Sequence, residues 1–210
     1  MTITEIKKVG RGDRYSIYVD DMFFMQIETE ILVKNKVKVG QELTEEEVQN
    51  LKLQNGDYAS FDKALTYLEK GMKTEKGIRD YLKKKGYLEE SIDKAVDKLI
   101  EYGYIDDEVY AENYINTYKP SKGKKKLFYD LMAKGVDKEI ISQKLEDLID
   151  EDEQIESCLS LARKYLKNRV VDEKTYQKLS AHLVSKGFSF DVVSMVVKDA
   201  IKEKKNESWD

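Results

Sequence analysis

The sequence predicts a mainly α protein: three tandem three-helix repeats forming an elongated helical array, with a small N-terminal β-rich extension. Two observations predict it. One arrangement of apolar residues around a Lys-Gly pair occurs three times. Ile78 and Leu82 precede Lys85-Gly86 and are followed by Ile92, Val96 and Leu99; Leu127 and Leu131 precede Lys134-Gly135, followed by Ile141, Leu145 and Leu148. The third copy is Leu179 and Leu183, Lys186-Gly187, then Val193, Val197 and Ala200. The glycines are 49 and 52 residues apart, and a fixed period of this size marks a helical array in which each unit hides its apolar stripe against another. The second observation is that residues 1–43 depart from this pattern and are rich in Ile, Val, Tyr and Phe.

Taken in order, ITEIKKV (3–9), RYSIYVDDMFFMQI (14–27) and EILVKNKV (30–37) read as strands. A turn at Asp20-Asp21 pairs Tyr15–Val19 with Phe23–Ile27, giving three or four short strands, which need a helix to lean on. Thr44-x-x-Glu47 has the form of a capping box opening that helix, TEEEVQNLKLQNG. Residues 1–57 are therefore expected to be the β-rich extension with one helix.

Repeat one is expected over residues 58–106. Ala64, Leu65, Leu68 and Met72 form a helical stripe ended near Gly71, Thr74 caps a second helix to Lys85, and a third runs from Glu89 to Tyr102. Repeat two spans 107–150. Asp106 or Asp107 starts its first helix, which carries Val109, Tyr110, Tyr114 and Ile115 and breaks at Lys119-Pro120-Ser121. Repeat three spans 151–210. It opens in the acidic run Asp150–Glu153 and carries Leu159, Ala162 and Leu166 on its first helix. Within each repeat the corner glycine supplies a left-handed residue that ends a helix cheaply. The lysine before it suits the negative carboxyl end of the dipole, and Asp137 and Ser189 are fitted to cap the helices that follow.

Composition bounds the function. Charged residues make up 37% of the chain and the net charge is −4, so any nucleic-acid contact must come from local patches. No apolar run approaches the ~20 residues that span a bilayer and no signal peptide is evident; a cytoplasmic protein without a membrane partner is expected. One cysteine, Cys158, excludes an internal disulfide and fits a reducing compartment.

Catalytic constellations find little support. His182 has no second histidine or cysteine partner for a zinc site, and Cys158 reads as a small core residue. Gly10-Arg11-Gly12 lacks the later glycine, lysine and helix of a phosphate loop. Asp106-Asp107 and the run 150–153 suit helix amino ends better than metals. No enzyme, cofactor or metal is expected. The basic clusters say more: Lys83, Lys84 and Lys85 before Gly86; Lys122, Lys124, Lys125 and Lys126 at the opening of the corresponding helix in repeat two; Arg163, Lys164, Lys167 and Arg169 at a helix end in repeat three. Lys122 is expected to share a helix face with Lys125 and Lys126, where phosphates or an acidic protein groove would meet them. A solvated helix surface balanced by nearby Asp and Glu is the alternative for each cluster. Of the 14 tyrosines, several concentrate in repeats one and two, and any left exposed beside lysines would suit base stacking or a protein interface.

The stretches YLKKKGYLEESIDKAVDKLIEYGYIDDEVYAENYI (81–115) and SKGKKKLFYDLMAKGVDKEIISQKL (121–145) resemble the RecX family, regulators of the RecA recombinase. The glycine corner, the Gly-Tyr-Ile-Asp-Asp junction, the Tyr-Ala pair and the Lys-Gly-Lys-x-x-Leu opening fall in that family's order. The likeness covers residues 58 to about 203, and the N-terminal sheet resembles an extension of Gram-positive members. The chain departs from the family in carrying lysine where arginine is common, as in Met72-Lys73-Thr74-Glu75-Lys76; a lysine offers phosphate a point charge where arginine offers a fork. The resemblance implies a monomeric, non-enzymatic protein of homologous recombination, DNA repair and the SOS response. Such a protein binds the RecA–DNA filament along its groove and limits filament growth, ATP hydrolysis and strand exchange, with single- or double-stranded DNA as a partner of modest affinity. The alternative is a direct DNA-binding helical protein of another repair process.

Overall fold

A computed structural model describes residues 1–207, with three strands and ten helices among the described residues. The chain divides into two compact units, Met1–Lys73 with Gly77–Ile105, and Thr74–Lys76 with the chain from Asp106 onward.

The first unit opens with β1 (Ile3–Lys8), β2 (Arg14–Val19) and β3 (Met22–Glu28), an antiparallel sheet in that order, with Tyr15 opposite Ile27. Asp20 (φ 47°) and Asp21 (φ 65°) are both left-handed, as a two-residue hairpin of this twist requires. The strand expected over 30–37 is instead a short helix, α1 (Thr29–Lys34). The reason is that its apolar residues do not alternate about a buried face: Ile31 enters the core while Val33 is exposed.

The helix α2 (Glu45–Leu68) begins with the anticipated capping box. The Glu47 amide donates to the Thr44 hydroxyl at 3.2 Å and the Thr44 amide to the Glu47 carboxylate at 2.8 Å. It does not stop at Gly56, as its sequence suggests; it is one helix of 24 residues. Gly56 serves close packing instead, since a Cβ there would lie 3.0 Å from the Ser91 hydroxyl. The Asn55 side chain accepts from the Glu28 amide (2.8 Å) and donates to the Gln26 carbonyl (3.1 Å), tying the outer edge of β3 to the helix. Farther along α2, Ala64 joins Ile78 and Leu82 of α3 (Glu75–Lys84) and Ile92, Val96 and Leu99 of α4 (Glu89–Glu101) in one core. Met72 lies outside that core and is exposed.

The second unit contains α5 (Asp107–Tyr118), α6 (Lys124–Ala133), α7 (Lys138–Leu148), α8 (Glu151–Leu166), α9 (Thr175–Ser185) and α10 (Phe190–Glu207). Asp106, Asp137 and Asp150 accept amide hydrogen bonds as N-caps of α5, α7 and α8. Every apolar position of the threefold pattern is buried except Leu148, which is half-buried. Gly86, Gly135 and Gly187 have φ of 86°, 90° and 90°, and the three corners share one geometry. In each, the residue after the glycine donates back to a core leucine carbonyl: Tyr87 to Leu82, Val136 to Leu131, Phe188 to Leu183.

Within the second unit, repeats two and three are joined through backbone groups. The Gly123 amide donates to the Lys186 carbonyl (2.9 Å), the Lys125 amide to the Gly187 carbonyl (3.2 Å), and the Lys124 amide to the buried Gln154 side chain (3.0 Å). The Thr74 hydroxyl donates to the Lys134 carbonyl (2.7 Å) and the Glu75 amide to Asp107 (2.9 Å), all four residues within the second unit.

A Cβ on Gly187 would overlap the backbone of Lys126, whereas one on Gly86 would meet open space. Gly86→Ala should therefore cost only the left-handed strain of about 1–2 kcal/mol, and Gly187→Ala at least ~2 kcal/mol more through overpacking. Urea unfolding measures both; equal losses would contradict the joint.

Candidate nucleic-acid interface

The basic clusters separate into lysines the fold uses and lysines it leaves to solvent. Lys122 is not on a helix face with Lys125 and Lys126, because α6 starts at Lys124 with Gly123 as its N-cap. Lys122 sits in the preceding turn with its side chain 22% exposed, and its ammonium donates to Asp130 (2.8 Å) and the Tyr114 hydroxyl (2.9 Å). It also lies 4.2 Å from the Tyr118 ring centre and 5.1 Å from that of Tyr114. Lys126 reaches the other oxygen of Asp130 at 2.9 Å. Burial raises the Asp130 carboxyl, but hydrogen bonds and charge from Lys122 and Lys126 outweigh it and hold the group below its ordinary range.

Lys124 and Lys125 make no ion pair among the described residues. Both stand in the first turn of α6, at the positive end of its dipole, where no acidic residue is present. The first turns of α1, α2, α3, α4, α5, α7, α8 and α10 all carry Asp or Glu. The α6 lysines are thus held against local electrostatics. With Glu151, Gln154, Gly187 and Val192 they line a recess of about 350 Å3.

Lys83, Lys84 and Lys85 are exposed at the end of α3; Lys83 reaches Glu89 at 3.3 Å and Lys85 lies 5.7 Å from the Tyr81 ring centre. Arg163 makes a two-pronged contact with Glu203 on α10, both bonds 2.9 Å. Arg163, Lys164 and Lys167 line a recess between α8 and α10 of about 540 Å3, and Arg169 stacks 3.6 Å over Tyr165. Gln154 touches the α6 lysines from the start of α8, while Arg163 stands nine residues on, about 14 Å along the axis. The two clusters of the second unit are therefore not one patch.

A recurring constellation escaped the sequence reading. The residue five before each corner glycine (Tyr81, Asp130, His182) faces an aromatic of the repeat's first helix, and a cation covers that aromatic. Tyr67 and Tyr81 stack at 4.0 Å with Lys73 4.9 Å over Tyr67. The Tyr114 hydroxyl bonds Asp130 (3.2 Å) beneath Lys122. Tyr165 and His182 lie 5.0 Å apart beneath Arg169. The fixed offset from the glycine was the available signal; its three different residues concealed it. In repeat two, Tyr110, Tyr114 and Tyr118 continue the ladder along α5, with Lys134 5.4 Å from Tyr114.

His182 is held below its ordinary pKa by burial and by the Lys186 and Arg169 charges, which keeps it neutral near pH 7. Cys158 is fully buried in α8 and its thiol is pushed up to about 12, so it forms no thiolate at neutral pH. Among the described residues no group of His, Cys, Asp or Glu is arranged to hold a metal, and no helix is long and apolar enough to cross a membrane.

Four RecX domain models match in chain order: the N-terminal domain over residues 1–44 and the first, second and third three-helix domains over 61–99, 106–145 and 151–197. The chain belongs to the RecX family. It is 35% identical over 205 residues to the regulatory protein RecX of Clostridium botulinum strain Eklund 17B, covering 96% of each chain. It is 35% identical to that of Bacillus licheniformis, covering 94% of this chain and 76% of the relative. A crystal structure of regulatory protein RecX superposes with a TM-score of 0.68 at 28% identity, covering 94% of this chain and 98% of the other. That of RecX from Lactobacillus salivarius gives 0.62 at 28% identity over 70% of this chain and 97% of the other. Family membership and the threefold helical fold agree with the resemblance read from residues 81–145.

Asp130→Asn leaves the half-buried Lys122 without a counter-charge and should cost about 1–3 kcal/mol. Because the folded Asp130 pKa is depressed, its contribution is present above the ordinary value of 3.8 and is lost as pH falls through the folded value. Urea unfolding at pH 7 and pH 3 should show the wild-type advantage over D130N shrinking at the lower pH; a gap that is as large at pH 3 as at pH 7 contradicts the assignment.

Proposed function

We propose that this RecX-family chain is a non-enzymatic modulator of the RecA recombinase, binding the RecA–DNA filament along its groove and limiting filament growth, ATP hydrolysis and strand exchange. The observation that carries the reading is the pair Lys124 and Lys125, without an ion pair among the described residues, at the positive end of a helix dipole. A protein tolerates such placement where binding requires it, and the partner it favours is polyanionic. Lys83, Lys84, Lys85, Lys164 and Lys167 are further contacts; Lys122, Arg163 and Arg169 act by fixing the surface around them. Regulation here is differential binding: the chain holds one filament state in preference to another, as any linked ligand must. A net charge of −4 favours a filament partner over the alternative, a protein that coats bare DNA for another repair process.

Co-sedimentation with RecA filaments on single-stranded DNA tests the reading. The wild-type chain should pellet with filaments. Lys124→Gln/Lys125→Gln should pellet several-fold less while its thermal stability holds or rises by up to ~1 kcal/mol, because two lysines leave a positive helix end. Equal pelleting would make the pair mere solvated surface.

A further inference from the structure

Where α6 meets the α9–α10 corner, two aromatic rings stand in solvent beside the unpaired lysines. Tyr129 is 59% exposed and Phe190 76% exposed. With Lys125, Lys126, Val184 and Phe188 they line one recess of about 330 Å3, and none of the residues lining it is acidic. Lys125 stands four residues before Tyr129 on α6, hence on the same helix face. Elsewhere in the second unit Tyr114 and Tyr118 lie beneath Lys122 and Tyr165 beneath Arg169, while Tyr176 is exposed on α9. Tyr129 and Phe190 have no cation over their rings among the described residues.

We propose that this face takes a single nucleic-acid strand, with bases against Tyr129 and Phe190 and phosphates against Lys124 and Lys125. The assignment rests on the filament reading and adds to it which chemistry this repeat junction meets. Exposed aromatic faces recognise bases only when those bases are unstacked, as in a single strand, and the adjoining lysines track the backbone without sequence preference. A duplex hides its base faces and offers the rings nothing. An acidic peptide would satisfy the lysines but brings no flat face to the two rings.

The test uses the full chain and fluorescence anisotropy with a 20-residue thymidine oligonucleotide, an abasic strand of equal length and charge, and a duplex. The thymidine strand should bind about tenfold or more tighter than the abasic strand, the scale of losing one base–aromatic stack, and tighter than the duplex. Tyr129→Ala/Phe190→Ala should erase the difference between thymidine and abasic strands without changing the salt slope. Lys125→Gln should lower that slope by about one and keep the difference. All three substituted side chains are exposed, and circular dichroism checks that the fold is retained. Equal binding of thymidine and abasic strands by the wild type, a preference for duplex, or displacement of the strand by polyglutamate at matched charge would each overturn the proposal. A chain that pellets with RecA filaments yet shows no aromatic-dependent strand binding refutes this face and leaves filament regulation standing. Aromatic-dependent strand binding without filament binding supports the face and refutes the filament reading.

Discussion

At the joint between the start of α6 and the corner before α10, Gly123 and Gly187 bring two backbones together with no side chain between them. Two amides, of Gly123 and Lys125, are satisfied there by carbonyls of the next repeat. A helix amino end normally solves its orphan amides with its own cap and attracts an acid. Here the neighbouring repeat supplies the acceptors, so the first turn of α6 is free of the usual demand for Asp or Glu. That freedom is what lets three lysines stand in succession at Lys124–Lys126.

The charges of the second unit then fall into two kinds. Lys122, Lys126 and Asp130 form a compact cluster beside the tyrosine ladder of α5, in which Lys122 and Asp130 are partly buried and both lysines reach the Asp130 carboxylate. Lys124, Lys125, Lys164 and Lys167 make no ion pair among the described residues and remain available to a partner.

Much of the fold is legible in the sequence because burial leaves a period. Apolar positions before and after each glycine are set by helix geometry, and every cap with a Thr, Asp or Ser side chain has a local chemical cause. What the sequence conceals depends on distant neighbours. Gly56 looks like a stop, yet it lies inside α2 because Ser91 approaches it. Glu30–Val37 has strand composition, but its buried residues Ile31 and Val37 reach the core from a helix and the turn after it, while Val33 stays exposed. Lys122 and Lys125 look alike as letters; whether a lysine is structural or available is decided by Asp130 and Tyr114, and no spacing rule announces that. The exposed pair Tyr129 and Phe190 lies 61 positions apart and is united only by folding.

In the proposed function the chain restrains a recombinase filament by binding rather than by chemistry, with Lys124 and Lys125 among its contacts. The most direct measurement is RecA ATP hydrolysis on single-stranded DNA, followed as the folded chain is titrated in. A dose-dependent fall is expected at or below one chain per recombinase subunit, with no nucleotide or DNA consumed by the chain itself. Hydrolysis that stays unchanged through stoichiometric addition would contradict it.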